Sequence, residues 1–308
     1  MDKKDLAIIG GGPGGYLAAL RAAQLGLSVV LFEQERLGGI CINVGCIPTK
    51  YLLHQTAIFH QLLADKNLEG PVGELRLNWQ RVQEGRRGVV DRLVKGLEFL
   101  LSKNKVEVIK GKARLTSPGE VTAWTSGGEI KFQADKIILA AGSRPADFPF
   151  LRFNGREVIS STEALSLPEI PKRLLIIGAG AIGLELGSVY GRLGTEVTIL
   201  EIMPSILPGT DLVTAQRLER ILKKQGLKVY LQMKIESAEI TSGQVNLRGL
   251  SLLDSKPFEF KADKVLIAAG RKPNIEQLVW DENLLARQKG NFLEVNSQGE
   301  TSIPGVYA

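Results

Sequence analysis

The residues with the most chemistry to offer are Cys41 and Cys46, the only two cysteines in the chain. They stand five apart in Leu37-Gly38-Gly39-Ile40-Cys41-Ile42-Asn43-Val44-Gly45-Cys46-Ile47-Pro48-Thr49-Lys50. A close pair in a thiol-poor chain reads as redox or metal chemistry. A disulfide needs Cα atoms within about 4.4–6.8 Å, whereas five residues of unbroken α-helix rise about 7.5 Å. Bridging therefore requires a break between them, and Asn43 and Gly45 are residue types that let a chain turn back. Pro48 suits the first turn of a helix running to about Leu63. That helix puts Cys46 near its N-terminus, where orphan N–H groups and the dipole favour a thiolate. Zinc, the competing chemistry, wants four ligands. The only further candidates of that type are His54 and His60, six apart on the same helix and so on different faces of it. Two inert buried thiols are the third reading.

The elements that must position this segment follow a pattern that occurs twice. Leu6 to Ile9 is an apolar run leading into Gly10-Gly11-Gly12-Pro13-Gly14-Gly15, a helical stretch from Tyr16 to Leu25, and a strand-like run ending in Glu33. Leu174 to Ile177 leads likewise into Gly178-Ala179-Gly180-Ala181-Ile182-Gly183, a helix to Leu193, and a run ending in Glu201. From first glycine to acid the spacing is 23 residues in both copies. In a βαβ unit the first glycine makes the turn and the second lets backbone approach a pyrophosphate. The third packs helix on strand, and the acid accepts from a ribose diol. A second match, Ala134 to Gly142 against Ala262 to Gly270, is a buried-type strand entering a small-residue turn. It lies 132 residues after Gly10 but 92 after Gly178, so copy one carries about 40 extra residues, both cysteines among them.

Composition narrows the class. A chain of 308 residues suggests about two domains. With 44% apolar and 23% charged residues it is ordinary globular material. The net charge of +6 is spread in isolated pairs such as Lys3-Lys4, Arg86-Arg87 and Lys223-Lys224, which disfavours nucleic acid as a partner. No apolar run reaches 18 residues, and the N-terminal apolar run is too short for a signal-peptide core. The expectation is a cytoplasmic protein. Val89, Val90, Leu93, Val94, Leu97, Leu100 and Leu101 recur at helical spacing and predict a core-facing amphipathic helix, with a dimer or carrier contact as the alternative.

The thirteen-residue cysteine motif Gly38 to Lys50 resembles the redox-active signature of the flavin-dependent pyridine nucleotide–disulphide oxidoreductases, and within them the dihydrolipoamide dehydrogenase branch. The resemblance covers the whole chain and implies an α/β fold of two Rossmann-like dinucleotide-binding domains, the second inserted after the first. It assigns Gly10, Gly12, Pro13, Gly15, Glu33, Gly39, Lys50, Ala113, Ala141 and Gly142 to FAD, and Gly178, Gly180, Gly183, Glu201 and Gly270 to NAD. Charge favours NAD over NADP: Glu201 would repel a 2′-phosphate, and the next arginine is Arg217. The implied catalytic residues are Cys41, Cys46, Lys50 and Glu185. Cys41 would exchange with a substrate dithiol, and Cys46 would pass electrons to a flavin whose ring Lys50, paired with Glu185, polarises. The implied substrate is a dihydrolipoyl group on an acyltransferase or on the glycine-cleavage carrier protein, and full-length members are homodimers.

The division expected is 1–148 for FAD with the cysteine insert, 149–272 for NAD, and 273–308 as a return segment or the start of a central domain. Family members continue past the segment matching Tyr307-Ala308 into a Gly-Asp motif that binds FAD and a dimerisation domain with a His–Glu base. The expectation is therefore a chain that is inactive or impaired as it stands, with His54 and His60 as surface or packing residues. Two further readings are a stand-alone diaphorase or NADH-dependent disulfide reductase, and a nucleotide-binding module without turnover.

Overall fold

The first copy of the repeated pattern forms β1 (Asp2–Ile9), α1 (Pro13–Gln24) and β2 (Val29–Glu33). The insert follows as α2 (Gly39–Val44), α3 (Cys46–Ala64) and α4 (Trp79–Lys103). Then come β3 (Glu107–Lys110), the meander β4 (Lys112–Ser117), β5 (Glu120–Thr125) and β6 (Gly128–Leu139), and β7 (Ser143–Pro145). The second copy contains β8 (Val158–Ile159), α5 (Ser161–Ala164), β9 (Arg173–Ile177), α6 (Ala181–Arg192), β10 (Glu196–Leu200), α7 (Leu212–Lys224) and β11 (Lys228–Tyr230). A meander of β12 (Met233–Thr241), β13 (Gln244–Ser251) and β14 (Pro257–Ala262) leads to β15 (Lys264–Ile267), and the chain returns through β16 (Arg271–Pro273) to β17 (Val306–Tyr307). The structure is a computed structural model in which residues 2–67 and 75–308 are described.

The chain divides into two units: Met1–Cys46 with Gly88–Arg144 and Lys272–Ala308, and Ile47–Arg87 with Pro145–Arg271. In the first, β3-β2-β1-β6-β5-β4 form a sheet with β17 added beside β6. The β3, β2, β1 and β6 pairings are parallel and the meander pairings antiparallel. Leu6–Ile9 of β1 and Val29–Phe32 of β2 are continuous apolar runs because both faces are covered there. Ala7, Ile9, Val30 and Phe32 pack against Val121, Ala123 and Phe132. On the other face Leu6, Ile8 and Leu31 pack on Ala19 and Ala22 of α1 and on Leu97 and Leu101 of α4. Burying one such Ile, Leu or Phe contributes about 1.5–3 kcal/mol. The α4 stripe expected from the sequence is only partly inward: Val90, Val94, Leu97 and Leu101 are buried, while Leu93 and Leu100 stay 39% and 46% exposed.

The return segment completes this first unit. Ile275, Leu278, Val279, Leu285, Ile303 and Val306 join its core, and β17 pairs in parallel with β6 at Val306–Ile137. The second unit has the parallel order β11-β10-β9-β15-β8 and a separate antiparallel β12-β13-β14 sheet. Leu175, Ile177, Leu200, Val265 and Ile267 meet Val245, Leu247 and Ala262 in its core. The stretch Ile47–Arg87 groups with this unit, whereas the sequence division placed it with the first. The strand-to-strand crossings explain the length difference: α2, α3 and α4 lie between β2 and β3, and α7 alone between β10 and β11.

Candidate functional site

In each sheet a glycine turn follows the carboxyl end of a central parallel strand, β1 or β9, where the strand order reverses and α/β sheets bind ligands. Gly10 adopts φ +110°, and a Cβ there would lie 2.2 Å from the Ala140 carbonyl oxygen. A Cβ at Gly15 would lie 1.8 Å from the Gly10 oxygen. Gly178, at φ +105°, and Gly183 repeat this, 2.6 Å from the Ala268 oxygen and 2.1 Å from the Gly178 oxygen. The outer glycines are thus demanded by packing. The middle ones are not: a Cβ at Gly180 meets nothing within 4 Å, and one at Gly12 meets only the Gly39 Cα at 3.8 Å.

Those middle glycines are the N-caps of α1 and α6, and neither helix has a side-chain cap. Pro13 fills the first position of α1, where a missing N–H costs nothing. Helices away from the turns are capped normally: the Ser160 hydroxyl accepts from Thr162 N at 3.1 Å in α5, and Asp211 accepts from Thr214 N at 2.9 Å in α7. Two uncapped N-termini behind open glycines are the donor set that phosphate oxygens require.

The two acids occupy matching places. Glu33 Oε2 accepts from Gly11 N at 2.7 Å and Oε1 from Glu35 N at 2.8 Å. Glu201 Oε2 accepts from Ala179 N at 2.7 Å and Oε1 from Met203 N at 2.9 Å. Glu201 is 6% exposed, so its charge rests on backbone N–H donors. Glu33 also lines a cavity of about 720 Å³ with Arg36, Leu37, Glu98, Val106 and Lys110, within the size range of small-molecule sites. Gly111 N donates to the Glu33 carbonyl at 2.9 Å, fixing the Gly111-Lys112-Ala113 segment at the end of β2. Ala113 itself is buried in the core. Gly142, at φ +71°, and Gly270, at φ +126°, both face open space.

The cysteine segment is built directly on the first glycine turn. Gly38 N donates to the Gly11 carbonyl at 2.8 Å, and a Cβ at Gly39, φ +55°, would lie 2.6 Å from the Gly12 Cα. Cys41 sits in α2, half-buried, and Cys46 opens α3, exposed. The break between them is at Gly45 alone, with φ −144° and ψ −116°. Asn43, expected to help the turn, is helical instead. Its Nδ2 donates to the carbonyls of Leu37 at 3.0 Å and Gly39 at 2.9 Å, holding the loop that enters α2. Its Oδ1 is buried without a hydrogen-bond partner, an acceptor awaiting a donor.

Within the second unit, Lys50 on α3 and Glu185 on α6 meet although 135 residues separate them. Lys50 Nζ donates to Glu185 Oε1 at 2.8 Å and Oε2 at 3.1 Å. The lysine is exposed and the glutamate half-buried. His54 and His60 both lie on α3. No cluster of three or more metal-ligating side chains occurs among the described residues, and no helix there is long and apolar enough to cross a membrane.

The open middle glycines, the uncapped helices and the orphan Asn43 acceptor fit two dinucleotides, one per unit. Sequence reasoning did not find the role of Asn43, although its spacing of four from Gly39 is the helical signal for such a contact. It also did not find the cavity beyond Glu33, whose walls come from segments distant in the chain.

The family description "Pyridine nucleotide-disulphide oxidoreductase" matches residues 4–308. The chain is 43% identical over 312 residues to a dihydrolipoyl dehydrogenase of Thermus scotoductus, covering 100% of this chain and 66% of that one. It is 41% identical to dihydrolipoyl dehydrogenase 3 of Pseudomonas putida, with the same coverage. It thus spans just under two thirds of the length of these curated relatives. Among solved structures it resembles the Cu(II) complex of the HOCl-induced flavoprotein disulfide reductase RclA from Escherichia coli. The TM-score is 0.84 at 28% identity, over 100% of this chain and 65% of that one.

Proposed function

The chain belongs to the pyridine nucleotide–disulphide oxidoreductase family, whose members use FAD and NAD, and we propose that it moves electrons between a dihydrolipoyl dithiol and NAD. The observation that carries this reading is the docking of Gly38 and Gly39 on the Gly11-Gly12 turn, which builds the two-cysteine segment onto a nucleotide loop. FAD is assigned to Gly10, Gly12, Pro13, Gly15, Glu33, Gly39, Lys50, Ala113, Ala141 and Gly142. NAD is assigned to Gly178, Gly180, Gly183, Glu201 and Gly270. The buried Glu201 carboxylate supports NAD over a 2′-phosphorylated cofactor.

The chemistry of the chain's own residues follows from thiol exchange. A substrate thiolate attacks Sγ of Cys41 in a Cys41–Cys46 disulfide, forming a mixed disulfide and releasing the Cys46 thiolate. The second substrate thiolate attacks the sulfur joined to Cys41, closing the substrate disulfide and freeing Cys41. The cysteine pair is then reduced by two electrons, and the two thiol protons are divided between the pair and solvent. FAD, when bound, supplies the two-electron relay between this pair and the nicotinamide. Lys50, oriented by Glu185, supplies a fixed positive charge on the helix that Cys46 opens. The lipoyl carrier is an acyltransferase or the glycine-cleavage carrier protein, the setting cytoplasmic, and the full-length assembly a homodimer.

A second reading reverses the flow: NADH-dependent reduction of a disulfide acceptor, favoured by the likeness to a flavoprotein disulfide reductase. Steady-state assays with NAD plus dihydrolipoamide, and with NADH plus disulfide acceptors, separate the two. Dihydrolipoamide-dependent NADH formation that Cys41→Ser abolishes, while NADH-to-dye transfer persists, is the expected result. Dihydrolipoamide turnover that survives Cys41→Ser would refute the thiol route.

A further inference from the structure

The two small-residue turns that follow β6 and β15 share a backbone brace and differ in one side chain. The Gly142 carbonyl accepts from Asn274 N at 2.9 Å, and the Gly270 carbonyl from Ala146 N at 3.1 Å. Each donor stands four residues after the glycine of the other turn. In the first unit the side chain of the donor residue adds a bond: Asn274 Nδ2 also donates to the Ala141 carbonyl at 3.1 Å. Alanine at 146 has no side chain to do the same.

Asn274 is itself held. Arg144 Nη1 donates to Asn274 Oδ1 at 3.0 Å and to the Pro273 carbonyl at 3.2 Å. The same guanidinium grips Glu276 through bonds of 2.6 and 3.0 Å, which hold the Glu276 carboxyl down at about 2. With Oδ1 facing a donor that cannot accept, the amide orientation is settled and Nδ2 must face Ala141. Both carbonyls of the Ala141-Gly142 turn are thereby engaged, leaving its open side to a ligand.

We propose that Asn274 is a positioning residue for the first nucleotide: its amide fixes the Ala141-Gly142 turn against FAD, a bond that Ala146 cannot make at the Gly270 turn. This rests on the assignment of FAD to the first unit. Asn274→Asp keeps the size and the Arg144 contact but loses the Nδ2 donor; Asn274→Ala loses both. In the full chain, FAD affinity is read by flavin fluorescence and NAD affinity by calorimetry. Both variants are expected to weaken FAD by roughly three- to tenfold, with NAD affinity unchanged and the fine structure of the bound-flavin absorption band blurred. Unchanged FAD affinity, or equal losses for both nucleotides, overturns the proposal. Amide hydrogen exchange of the ligand-free chain separates this from failure of the FAD assignment. If the wild type holds no FAD, the assignment falls and exchange alone decides. Faster exchange in Asn274→Asp across 139–144 but not across 267–272 upholds the positioning role, and equal exchange overturns it.

Discussion

Replacing Gly180 and Gly183 by alanine separates a glycine kept for a ligand from one kept for packing. At Gly180, φ −76° and ψ 180° suit alanine, and the new Cβ meets nothing within 4 Å. Loss of unfolded-chain entropy favours the variant by about 0.4–1 kcal/mol, and the poorer N-cap offsets a similar amount. The net change is within about 1 kcal/mol. At Gly183 the Cβ would lie 2.1 Å from the Gly178 oxygen and 3.1 Å from Ile176 Cγ2, so α6 must withdraw from β9. Overpacking of this kind costs about 1–3 kcal/mol, a melting temperature lower by roughly 2–12 °C for a unit of this size. The assay is thermal unfolding without ligand beside calorimetric titration with NAD. Gly180→Ala is expected to melt near wild type yet bind NAD at least about tenfold more weakly, a loss of about 1.4 kcal/mol. Gly183→Ala is expected to lose stability. A Gly180→Ala protein that melts as low as Gly183→Ala, or binds NAD like wild type, would refute the division between middle and outer glycines.

Lys50→Met breaks an exposed ion pair worth at most about 1 kcal/mol, so stability should barely move. NADH-driven disulfide reduction should slow by about tenfold or more in stopped flow, and an unchanged rate would assign the pair to the surface. Glu276 is held at about 2 by the Arg144 hydrogen bonds, below its unfolded value, so its stabilisation is present above the unfolded pKa and lost as pH falls toward 2. Urea midpoints of wild type and Glu276→Gln should differ at neutral pH and converge in acid; a gap that persists at the lowest pH contradicts this. The buried Tyr190 hydroxyl donates to the Ala164 carbonyl, and burial raises its pKa well above that of an ordinary tyrosine. Tyr190→Phe strands that carbonyl at a cost of about 1–3 kcal/mol, measurable by thermal unfolding, and an unshifted melt would show that the bond contributes nothing.

The strand–turn–helix units were legible because their signals are local. Apolar runs, glycines in fixed order and an acid 23 residues on specify β1-α1-β2 and β9-α6-β10 without knowledge of anything distant. The break in the cysteine segment was legible as a need, since five helical residues rise too far for a bridge, but not as a residue: Gly45 breaks the helix while Asn43 stays in it. What could not be read depends on remote partners. The return of Val306 to Ile137, the grouping of Ile47–Arg87 with the second unit and the outward face of α4 at Leu93 and Leu100 have no periodic signature. Lys50 and Glu185 could be paired only through resemblance, because contact across 135 residues leaves no mark in spacing. Asn274 carried no signal beyond following an Arg-Lys-Pro run.

The most direct measurement is the absorption spectrum of the flavin-loaded chain during anaerobic titration with NADH, for wild type, Cys41→Ser and Cys46→Ser. If Cys46 exchanges electrons with bound flavin, wild type gains a broad long-wavelength band as its thiolate faces the oxidised ring. Cys41→Ser should keep that band and Cys46→Ser should lack it. A wild type that holds no flavin, or whose flavin bleaches identically to that of Cys46→Ser with no such band, contradicts the assignment.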